Sequence, residues 1–222
     1  MDNEKQLTEK ESLELITRMI NKAKDACHDT GITAIMWGLV IIICSLVRVA
    51  ELHFGFRLPF DIYILTYIAI IPQIYFSVQE KKRKKARTYD DQFQAGLWIA
   101  FGISIALLIF IINKMYSSWD PVNDQIEKLT GTAGFKLYEY IAALFLLLYG
   151  IPTFVTGMTM KFKPMFWGGI LCWICCIASL FLPVKTDLLL VALSAAGAWL
   201  IPGIIMERDY QRAKKHLANT DV

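Results

Sequence analysis

The chain has 222 residues, 55% of them hydrophobic and only 19% charged, with a formal net charge of +3. Soluble domains carry about a quarter charged residues, spread along the chain; here the charges gather between long apolar runs, which excludes an ordinary globular domain and predicts an all-α integral membrane protein. The basic residues sit beside those runs, where membrane topology accounts for them, so no nucleic-acid partner is expected.

The first thirty residues are polar and mixed in charge, without the basic start and apolar core of a secretory signal. Residues 1–30 are therefore read as a cytoplasmic segment built on an amphipathic helix over 8–29. Thr8 and Glu11 fit a capping box. Leu13, Ile16, Ile20 and Ala23 recur at spacings of three and four, and Cys27 continues the stripe. Such a face needs cover, either from the protein's own bundle or a second copy, from the inner leaflet, or from a separate cytoplasmic protein.

A spanning helix needs about 20 apolar residues. Six segments qualify, at about 31–50, 61–79, 95–113, 138–160, 165–182 and 188–206, forming a bundle over 31–206 with a tail at 207–222. Lys161, Phe162, Lys163 and Pro164 divide the fourth from the fifth. Pro183 through Asp187 form a tight turn before the sixth. With the N-terminus inside, 17 of the 23 Lys and Arg residues fall on the cytoplasmic side, which predicts N-in and C-in. The short loops suit a bacterial inner membrane, and the lipid bilayer is the first partner.

Residues of one type recur with helix parity. Odd-numbered spans carry a Trp near their cytoplasmic start (Trp37-Gly38, Trp98, Trp167-Gly168) and even-numbered spans an Ile-Pro pair at Pro72, Pro152 and Pro202. Trp37 to Pro72 and Trp167 to Pro202 are both 35 residues, and the middle pair is 54. This predicts three helical hairpins of one design, the second carrying an insertion at 114–137. Each Pro removes a backbone donor and frees a carbonyl, which in lipid must find a protein or water partner. Gln73, Thr153 and Thr156 are the nearby candidates, so a ligand or gating layer is expected where Trp37, Trp98, Trp167 and the three prolines share one depth.

The remaining polar features invite simpler readings. Lys81, Lys82, Arg83, Lys84, Lys85 and Arg87 form a run able to contact anionic lipid, though as a topology determinant it needs no such role. Arg48 and Glu51 are spaced to pair at the end of the first hairpin, where His53, Arg57 and Asp61 also cluster. In the insertion, Asp120 reads as a cap and Pro121 as the first residue of a short helix ending at Gly131, with Val122, Ile126 and Leu129 as the stripe lying on the outer face of the bundle or on the membrane surface. Cys172, Cys175 and Cys176 share a helix side, but no His or acid accompanies them and small buried hydrophobes suffice as an account. No motif demands a metal or cofactor, and no acid or base lies near a midplane. The expectation is a non-enzymatic regulatory or partner-binding membrane component; the alternative is a facilitative carrier or binding protein for a small neutral or amphiphilic solute or lipid.

Overall fold

The computed structural model describes residues 30–83, 89–132 and 134–220. The N-terminal stripe of Leu13, Ile16, Ile20 and Ala23, and Lys84, Lys85 and Arg87 of the basic run, lie outside them. The described residues are helical without a strand: α1 (Ile32–Phe54), α2 (Ile64–Ile68), α3 (Ile70–Arg83), α4 (Tyr89–Thr130), α5 (Tyr138–Thr159), α6 (Lys163–Ser179) and α7 (Val184–Ala195). A π turn, Ala196–Leu200, then leads into α8 (Ile201–Thr220). Four helices are long and apolar enough to cross a membrane: Ile32–Phe54, Asp91–Thr130, Tyr138–Thr159 and Val184–Lys215; α6 is apolar but shorter.

Each proline meets a different local geometry. Pro72 removes the donor for Ile68, and the helix is interrupted at Ala69 between α2 and α3. Pro152 is contained within α5, fully buried. Pro202 follows the π turn, whose extra residue widens the helix where the pyrrolidine ring would otherwise press on the Ala198 carbonyl. Pro183 takes an extended conformation (ψ 152°) ahead of Val184. The turn between α6 and α7 is consequently shorter than expected, with Lys185, Thr186 and Asp187 already helical.

The insertion also differs from expectation. Pro121 does not open a separate helix. It lies inside α4, which runs 42 residues without a break until Gly131 (φ 67°) ends it. Only the Ser117 carbonyl loses its donor there, in an exposed stretch where water replaces it at little cost.

Four elements make the core: α1, α5, α6 and the α7–π–α8 rod. Helices α5 and α6 pack along their length, and α1 lies against α7 and the π turn. In the most apolar window of α5 and of the Val184–Lys215 rod, 44% of residues are buried, against 6% for α4, which places α4 at the edge with most of its apolar surface turned outward. The crossings are made by glycine. A Cβ on Gly38 would lie 2.8 Å from the Leu200 nitrogen, and one on Gly168 would lie 2.6 Å from the Ala198 Cα. Gly31 meets the backbone of Gly203 just as closely. Such close backbone approaches gain dispersion energy, which would be the main attraction between apolar helices in lipid.

Replacing Gly168 with Leu is expected to destabilise the bundle by about 1–3 kcal/mol through overpacking. Gly102 has nothing within 4 Å of a built Cβ, so Gly102→Leu is expected to be neutral. Unfolding midpoints of the two variants in mild detergent check this pair.

Candidate functional site

The expected polar layer consists of hydrogen bonds made inside the protein. Trp37 donates its indole N–H to Gln73 Oε1 at 2.9 Å, and Gln73 Nε2 donates to Ser77 Oγ at 3.2 Å. This joins α1 to α3, aided by Thr30, which donates to Glu80 Oε1 at 3.2 Å. Thr156 donates to Gln94 Oε1 at 2.8 Å, tying α5 to the start of α4. Thr153, wholly buried, accepts from the Trp199 indole at 2.9 Å and gives its own proton to the Tyr149 carbonyl at 2.8 Å. Both sides of this hydroxyl are therefore used.

The three expected tryptophans differ in burial and in partners. Trp98 is half-buried and packs edge-on to Phe101, with ring centroids 5.6 Å apart. Trp167 is 64% exposed. Its neighbour Gly168 makes the contact instead, as does Gly38 beside Trp37, and both glycines reach the same π turn. Both Trp-Gly pairs therefore place a packing glycine, but their indoles differ: Trp37 bonds Gln73, and Trp167 is left at the side. The residue that completes the centre is Trp199, within the π turn, 4.7 Å from the Tyr149 ring and 6.3 Å from Phe101. It stands outside the parity pattern, and only its burial distinguishes it from the other indoles.

Nearby, two hydroxyls behave unlike the rest. Ser104, Thr159 and Ser179 each donate back to a carbonyl of their own helix, the usual solution in apolar surroundings. Ser45 on α1 and Ser194 on α7 are 0% exposed and make no hydrogen bond of good geometry. The Tyr63 phenol lies beside Ser45, and the Cys172 thiol lies beside Ser194. Asp187, expected in the turn before the sixth span, is buried to 1% exposure, with Oδ1 unpartnered.

The other candidates are simpler. Arg48 Nη1 reaches Glu51 Oε2 at 2.7 Å, and the Leu58 amide donates to Glu51 Oε1 at 3.0 Å, closing the end of α1. Lys81, Lys82 and Arg83 are the last residues of α3, with Lys82 exposed. Cys172 and Cys175 are buried in the core, while Cys176 Sγ contacts the Ala143 carbonyl at 3.3 Å. Among the described residues no group of His, Cys, Asp or Glu is arranged to hold a metal ion.

No family model, curated protein or solved structure matches the chain.

Thr153→Val leaves the Trp199 indole N–H without a partner and is expected to lower stability by about 0.6–1.7 kcal/mol. Adding Trp199→Phe to Thr153→Val should then cost less than Trp199→Phe costs alone. A double-mutant cycle on the unfolding midpoint measures the coupling.

Proposed function

We propose that the chain is a non-enzymatic, multi-pass protein of the cell membrane that serves as a regulatory or partner-binding component. It would have six spans in three hairpins, with both ends cytoplasmic. The four long apolar helices supply four spans; the α2–α3 pair and α6 supply the other two, which keeps the basic end of α3 on the inner side.

The observation that carries this reading is the closed interior. Backbones meet at Gly38–Leu200 and Gly168–Ala198, and Thr153, Thr156 and Gln73 are engaged by Trp199, Gln94 and Trp37. A core packed this tightly favours a component that works through its surfaces over a passage for solute. The N-terminal stripe of Leu13, Ile16 and Ile20 is then the cytoplasmic contact, made to another protein or to a second copy.

A second reading, a carrier or binding protein for a small neutral solute, draws on the unpartnered hydroxyls of Ser45 and Ser194. In lipid an orphaned polar group is costly, and a ligand able to hydrogen-bond would relieve it.

Purification in mild detergent with and without residues 1–29 separates the two. The regulatory reading expects one specific protein to follow only the intact chain, and to be lost when Leu13, Ile16 and Ile20 become polar while the unfolding midpoint holds. One small molecule or lipid retained equally by both forms, with no protein, would establish the carrier instead. The span count is tested by single cysteines in a cysteine-free background. Lys185→Cys is expected to react with an impermeant maleimide from outside, and Lys82→Cys only after permeabilisation; the reverse pattern at either site sinks the six-span arrangement.

A further inference from the structure

Beyond its apolar stretch, α4 continues as an exposed rod to Thr130, and the chain returns along it through Gly134–Leu137 to enter α5. Asn123 Nδ2 donates to the Phe135 carbonyl at 2.9 Å, and Gly134 packs closely against the Asn123 side chain, which would have to shift to admit a Cβ. The two contacts pin the return and leave a cleft of about 230 Å³ between it and the helix.

The face that α4 turns to this cleft lies beside its apolar stripe of Val122, Ile126 and Leu129, of which Ile126 is half-buried. Val122 and Leu129 are exposed, Leu129 to 86%. The cleft is lined instead by Tyr116, Asp120, Asn123 and Glu127, a stripe at spacings of four, three and four, with Trp119 at its edge. Asp120 and Glu127 border the cleft while staying open to water, Tyr116 is half-buried, and Phe135 and Tyr138 form the far wall.

Aromatic and acidic side chains make up most of this lining, and Lys136 also borders it. The Trp119 and Phe135 rings lie with centroids 6.2 Å apart, and Phe135 stacks on Tyr140 at 5.7 Å, which holds its orientation. Aromatic faces carry negative electrostatic potential, and Asp120 and Glu127 add two formal charges. Lys136, the cation in the lining, is drawn to Glu139 at 3.7 Å, outside it. Partial burial and the charge of Asp120 push the Tyr116 phenol above its ordinary value, as a partly desolvated anionic corner should. An anion would meet repulsion here, and a neutral apolar molecule would leave the carboxylates unused.

We propose that the cleft formed by Tyr116, Trp119, Asp120, Glu127 and Phe135 binds an organic ammonium cation, its charge held between the aromatic rings and the two carboxylates. The inference does not depend on whether the bundle is regulatory or a carrier.

The test uses the full chain in detergent, with choline as probe and its uncharged carbon isostere, 3,3-dimethylbutan-1-ol, as control. Choline is expected to bind saturably by calorimetry and to change the tryptophan fluorescence, a change that Trp119→Phe removes. The isostere should bind at least about tenfold more weakly, and Asp120→Asn with Glu127→Gln should weaken choline by about the same factor. Both carboxylates are exposed, so this double variant should keep the parent unfolding midpoint, which separates loss of binding from loss of fold. Equal binding of choline and its isostere, no binding by the parent protein, or full binding by the double variant would each overturn the proposal.

Discussion

The constraint on which the rest depends is the approach of two glycines to one widened turn. Pro202 cannot donate to Ala198, and the rod answers with a π turn at Ala196–Leu200. Gly38 of α1 and Gly168 of α6 then press on that turn from two sides, at distances no side chain permits. The result fixes α1 and α6 relative to the last rod. It also carries Trp199 into the centre, where Thr153 receives its N–H and Tyr149 and Phe101 surround its ring. Remove the glycines and the indole has no settled place.

Around that centre the polar groups divide into two kinds. Gln73, Thr153 and Thr156 accept or donate across helices and act as fasteners, each joining a different pair of elements. Ser45, Ser194 and the Asp187 carboxyl are buried without that reward. A close-packed apolar interior tolerates few such groups, so their concentration along α1 and α7 sets that helix pair apart from α5 and α6, whose small and aromatic residues fit each other without orphans beyond Gln94 Nε2 at the α4 contact.

The long helix α4 combines two environments in one piece of secondary structure. Its first half uses Gln94, Trp98 and Phe101 to touch the core and turns the rest of its apolar surface outward. Its second half meets the return segment through Tyr116, Trp119 and Asn123, with Asp120, Glu127, Val122 and Leu129 exposed. Pro121 lies between these roles without interrupting the helix, because in an exposed stretch a missing donor is made good by water.

Much of this was legible in the order of residues, and for a definite reason. Whether a segment is apolar enough to enter lipid depends on that segment alone, so the long helices and the end of α4 at Gly131 follow from local composition and a positive φ. Gln73, Thr153 and Thr156 stand out because few polar side chains occur inside apolar runs, although their hydrogen bonds go to other side chains and to the Tyr149 carbonyl, not to the carbonyls freed by the prolines. Their mates do not stand out, since Trp199, Gln94 and Trp37 are chosen by what stands opposite after folding. The Trp-Gly recurrence shows the same limit: the pattern was visible, but only packing reveals that the glycine is the contact and that Trp167 stays outside. Sequence by itself determined which stretches are helical and apolar, since that is a property of neighbours along the chain. Tertiary structure alone decided which side of each helix faces inward, because in an apolar solvent hydrophobicity no longer distinguishes inside from outside, and shape complementarity has to choose.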